Sequence, residues 1–171
     1  MKKEKRISAE AGDEDIKWME LAIREAEKAM AEGEVPVGCV IVKDGELIAA
    51  AHNRRERDRR ATAHAEHDAI ELACEKLGGW RLSGACVYVT LEPCPMCAGA
   101  IINAQVSRVV YGAKDSSAGA FGSVVDLRNY PLYKPEVKGG VMAERCSALL
   151  SEFFSRLRLM RGKNRYNKNK S

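Results

Sequence analysis

The sequence predicts a layered α/β domain. Helical apolar stripes alternate with short β-branched runs along the chain. No internal repeat or Pro-rich linker divides it, and 171 residues suit one domain.

Residues 1–14 are charged and lack periodicity, so they read as a flexible N-terminal extension. From about Asp15 the pattern turns helical. Ile16, Met19, Ile23, Ala26 and Met30 form one apolar stripe that stops at Gly33. Residues 35–42 are apolar and β-branched, which predicts a buried strand. Asp44-Gly45 is a turn signal, and 47–51 is the second strand of the resulting hairpin. The arginine-rich stretch 54–60 reads as a loop. Thr62 is placed to cap a helix over 63–77, which Gly78-Gly79 ends.

A strand is predicted over 85–90. Pro93 and Pro95 then bracket a turn into a helix over 95–104, where Pro95 suits the first turn. Further strands fit 108–111 and the region near 137–141. Between them, residues 112–123 are rich in Gly, Ala and Ser and read as a loop. Met142, Cys146, Leu149, Phe153 and Leu157 mark a final helix running into a basic tail, 161–171. Phe153 falls on its core stripe. Phe154, its neighbour, cannot share that face and is left for a partner.

Hydrophobic residues at 46% and charged residues at 30% exclude a disordered or fibrous chain. No apolar run approaches the ~20 residues of a membrane helix. The opening Met-Lys-Lys-Glu-Lys-Arg has no apolar segment after it, so no signal peptide is expected and the predicted compartment is the cytoplasm. There, six cysteines need not form a disulfide framework, and Cys pairs among them are expected as metal or redox sites. The net charge of +4 is unevenly placed. Residues 155–171 carry +7 and residues 54–60 carry +3, leaving −6 on the rest. Two basic clusters on an acidic body suit a polyanion partner, and a solvated tail explains the C-terminal one equally well.

Two motifs carry the chemistry. His64-Ala65-Glu66 and Pro93-Cys94-Pro95-Met96-Cys97 each open a predicted helix. A catalytic zinc takes three protein ligands and leaves a fourth position for water. His64 supplies a nitrogen, and Cys94 and Cys97 supply two thiolates one helical turn apart. Helix N-termini favour the anionic thiolates. Glu66 is then the carboxylate that moves protons without occupying the metal. His67 offers a rival arrangement, a closed Cys₂His₂ structural site without turnover, although its spacing from His64 is shorter than usual. Cys39, Cys74, Cys86 and Cys146 fall on predicted strand or helix faces and read as packing residues.

These motifs resemble those of the bacterial tRNA adenosine deaminases, in the cytidine-deaminase-like superfamily with its H-x-E and P-C-x-x-C zinc signature. The resemblance extends over about residues 15–160. It includes Val35-Pro36-Val37-Gly38, His52-Asn53-Arg54, and the run from Thr90-Leu91-Glu92 through Cys97-Ala98-Gly99. It also takes in Tyr111-Gly112-Ala113-Lys114-Asp115 and Leu149-Leu150-Ser151-Glu152-Phe153-Phe154.

The resemblance implies a three-layer α/β/α fold with a central mixed sheet of about five strands. It implies a homodimer with one zinc per subunit. It further implies hydrolytic deamination of adenosine to inosine at the wobble position of a tRNA anticodon loop, with zinc hydroxide attacking C6 and Glu66 shuttling protons. By position, Asn53 would bind the flipped nucleoside. Lys114 and Asp115 would contact the anticodon loop, and Phe154 and Arg158 would hold it from the last helix. Asp115 serves equally well as a cap of its own loop. The chain departs from the family in having Arg60-Ala61 where Asp-Pro is frequent, in its arginine-rich 54–60 stretch and in His67. The same chemistry on a free base or nucleotide (guanine, cytosine or dCMP) and a non-catalytic zinc RNA-binding module are the competing readings.

Overall fold

The computed structural model describes the backbone of residues 2–168 and the side chains of residues 12–162. Side chains of the basic tail beyond 162 lie outside that range. Five strands form one mixed sheet in the order β2-β1-β3-β4-β5. They are β1 (Gly38–Lys43), β2 (Glu46–His52), β3 (Ala85–Leu91), β4 (Arg108–Ala113) and β5 (Glu136–Gly139). β1 runs antiparallel to β2 and β3, whereas β3, β4 and β5 are parallel to one another. The sheet is the five-stranded mixed one expected.

Alternation along the strands builds two cores, because successive strand side chains point to opposite faces. Cys39, Ile41, Val87, Val89 and Val109 face α3 (Ala65–Leu77) and α4 (Pro95–Asn103). Val40, Val42, Tyr88 and Val110 face α1 (Lys2–Ala31) and α5 (Ala143–Lys168). The layers are therefore helix, sheet, helix. The layer of α1 sits close. A Cβ at Gly38 would collide with the Ala22 carbonyl, so glycine there lets β1 approach the helix backbone.

Four sequence expectations are corrected. Helix α1 starts at Lys2 rather than near Asp15. Residues 2–14 lack an apolar stripe, but most are Lys, Glu, Ala and Arg, which are good helix formers, and Ile7, Ser8, Gly12 and Asp13 are the exceptions. The 54–60 stretch is not all loop, since Arg55–Asp58 forms a helical turn, α2. Thr62 is not the cap of α3. His64 occupies that position, with an extended backbone. Phe153 is half-exposed and belongs to neither core; it packs edge-on against Phe154 at 5.3 Å. Helix α5 meets the sheet through Cys146 and Leu149, with Met142 just before it, and outruns it beyond them.

Candidate active site

His64 and Cys94 are the N-cap residues of α3 and α4. Neither side chain caps its own helix with a hydrogen bond, so both are free to face a ligand. Pro95 follows at the start of α4, where its missing N–H costs nothing. Cys97 lies in the first turn of that helix and is fully buried. His64 Nδ1 comes within 3.7 Å of the Cys94 sulfur and 3.6 Å of the Cys97 sulfur. These three ligand atoms all lie within 4.8 Å of one another.

The donor set fits zinc. One nitrogen and two sulfurs are what a three-ligand catalytic site uses. The Cys97 thiol and the His64 ring hold the Cys94 thiol down to about 4, against burial. Hydrogen bonding to Cys94, with burial, pushes the Cys97 thiol up. The nearby Glu66 carboxyl is buried, and burial pushes it up to about 7. A carboxyl poised near neutrality can both take and give a proton. His67 does not join this cluster. It groups with Asp68 and Glu71 instead, with Nδ1 3.4 Å from the Glu71 carboxylate.

The cluster opens into a cavity of about 210 Å³ whose wall includes Asn53, His64, Glu66, Cys94 and Asp115. Of the other residues singled out for substrate contact, Lys114, Phe154 and Arg158 are exposed and lie off that wall. Arg158 reaches Ser155 Oγ at 3.0 Å. Asp115 caps its own loop, one of its two readings from the sequence. Its Oδ1 accepts hydrogen bonds from the backbone of Ser117 and Ala118 while the residue lines the cavity.

Sequence reasoning missed two buried acids on the cavity wall, Glu34 and Glu92. It also left open how the arginine cluster is used. Arg54 and Arg60 are tied to Asp68, and Arg57 to Glu32. Arg55 lines the cavity, and its nearest acid is the exposed Glu56 at 3.8 Å. Much of the +3 charge of this stretch is thus spent on bracing α2.

Fold and site together define a zinc-dependent deaminase. Residues 13–113 match the model for the cytidine and deoxycytidylate deaminase zinc-binding region. A tRNA-specific adenosine deaminase of Bacillus subtilis is 50% identical over 85% of this chain and 91% of its own. A structure solved in work on A-to-I editing by tRNA:A34 deaminases superposes with a TM-score of 0.75 at 45% identity, covering 78% of this chain and 98% of its own. A guanine deaminase from Nitrosomonas europaea is more distant, with a TM-score of 0.70 at 26% identity over 80% of this chain and 82% of its own. The chain belongs to the zinc-binding cytidine and deoxycytidylate deaminase family, among the tRNA-specific adenosine deaminases.

Proposed function

We propose that this protein converts the wobble adenosine of a tRNA anticodon loop to inosine, releasing ammonia with consumption of one water. The observation that carries the reading is the buried Glu66 beside the His64, Cys94 and Cys97 cluster, on the wall of a cavity of about 210 Å³. Zinc held by those three residues supplies the Lewis acidity that brings the attacking water's pKa to about 7.

Glu66 takes the proton that the water gives up and delivers it to the ring nitrogen next to C6. It then assists protonation of the departing amine. Asn53 binds the base on the cavity wall. The target base must leave its stack to enter, and a single-stranded loop makes that cheap. Lys114, Phe154 and Arg158 hold the loop outside the cavity, where exposed cations and an exposed ring suit phosphate and base contacts. The substrate is the anticodon stem-loop, the active form a homodimer, and the setting the cytoplasm. The six free cysteines agree with a reducing compartment.

The relation to a guanine deaminase makes free bases the competing substrates. Zinc-loaded protein is incubated with an adenosine-bearing anticodon stem-loop and, separately, with adenosine, guanine, cytosine and dCMP. Inosine in the stem-loop alone is expected. Turnover of small molecules alone refutes the tRNA reading, and binding without product refutes the enzyme. Size-exclusion chromatography with light scattering tests the dimer.

A further inference from the structure

Asn53 has a partner that the sequence motifs pass over. Glu34 directly precedes the Val35-Pro36-Val37-Gly38 run and is 1% exposed. A carboxylate buried this deeply is costly unless donors meet its oxygens. Three do so: the backbone N–H of Arg57 at 2.6 Å, that of Glu56 at 3.3 Å, and the Asn53 side-chain amide at 3.3 Å. Two of these belong to α2, and the third belongs to the cavity wall.

An ionised carboxylate only accepts hydrogen bonds, so it dictates which way the Asn53 amide turns. The NH₂ group must face Glu34, and Oδ1 must face away from it. Among the described residues nothing donates to that Oδ1, and it is not sealed off as a buried unpaired atom. A free carbonyl oxygen on a cavity wall calls for an N–H or O–H on whatever binds there.

We propose that Glu34 is a positioning residue: it fixes the Asn53 amide with its carbonyl oxygen toward the substrate, so this point of the pocket selects a hydrogen-bond donor. The inference rests on Asn53 being a substrate contact.

The test is a double-mutant cycle of Glu34→Gln and Asn53→Ala in the zinc-loaded protein on the anticodon stem-loop. Gln keeps the volume but accepts at only one of the two oxygen positions; with its oxygen kept on the short Arg57 N–H bond, its NH₂ faces the Asn53 amide, which turns over. Glu34→Gln should lower kcat/KM about 10- to 100-fold in the wild-type background. In the Asn53→Ala background it should change kcat/KM by less than about twofold. Wild-type kcat/KM in Glu34→Gln overturns the proposal, and so does an equal loss in both backgrounds, since Glu34 would then act without Asn53.

A second readout does not depend on turnover. Hydrogen exchange of the Asn53 side-chain amide, followed by ¹⁵N NMR, should be slow in the wild type and faster in Glu34→Gln. If that variant does not fold, the wild-type rate is compared with that of the exposed Asn103. Equal rates in either comparison overturn the proposal. A wild-type protein inactive on the stem-loop refutes the tRNA reading instead and leaves the exchange rates to decide the role of Glu34.

Discussion

The Glu92 carboxylate occupies the space in which a side chain at Gly119 would begin. A Cβ there would lie 2.5 Å from the carboxylate carbon. Glu92 cannot yield, because it accepts hydrogen bonds from the backbone of Asp115, Phe121 and Ser123 and from the Ser123 hydroxyl. It thereby gathers the 115–123 loop, including Asp115 on the cavity wall, around one buried acid. Gly119→Ala should destabilise the fold by about 1–3 kcal/mol through overpacking, read by urea unfolding. It should also reduce kcat/KM on the stem-loop. Unchanged stability together with unchanged kinetics would show that the loop absorbs the methyl group and that Glu92 does not organise it.

Glu66 is buried beside the His64, Cys94 and Cys97 group and is not one of its three members. Glu66→Ala should cut kcat at least 10²-fold while zinc remains stoichiometric by elemental analysis. Loss of zinc from this variant would make Glu66 a structural or ligating residue.

His64, Cys94 and Cys97 converge, and His67 faces Glu71. His64→Ala and Cys94→Ala should each empty the site, whereas His67→Ala should keep its zinc and most of its activity. Treatment with a strong chelator should abolish turnover, and added zinc should restore it. Zinc loss in His67→Ala as complete as in His64→Ala would revive the closed four-ligand site.

The zinc cluster was readable in the sequence because its logic is local. Both motifs start helices, and the i, i+3 spacing of Cys94 and Cys97 is itself a geometry. The strands were readable because they are short apolar runs with turn signals between them, whereas their joining into one mixed sheet came from the family resemblance. Glu34 and Glu92 were not readable. Their meaning lies in the donors they meet, at residues 53–57 and 115–123, and those meetings exist only once the chain is folded. Phe153 continues the spacing of Met142, Cys146 and Leu149, so periodicity assigns it to the core. Periodicity does not say where the sheet beneath a helix stops. The early start of α1 is the converse case, in which propensity carries a helix whose first residues have no apolar stripe in the sequence to betray it.

The last prediction concerns acid stability and lies away from the cavity. Asp15 on α1 accepts two hydrogen bonds from the Arg108 guanidinium, at 2.6 and 3.1 Å, and one from Lys138 at 2.7 Å. It also accepts one from the Tyr88 hydroxyl at 3.1 Å. Burial alone would raise its pKa, but the hydrogen bonds from Arg108 and Lys138 outweigh burial and hold it at about 2. In the unfolded chain it returns to about 4. Above pH ~4 both states are ionised and the full stabilisation is present. As pH falls from about 4 to about 2 the unfolded state takes up the proton first, so stability drops, and below about 2 this contribution is gone. The amount is on the order of 2 kcal/mol. Asp15→Asn should therefore lose about that much at pH 7 and converge on the wild type by about pH 2, as followed by urea unfolding across the range. A difference that stays constant from pH 7 to pH 2 would show that the loss comes from packing rather than from the charge of Asp15.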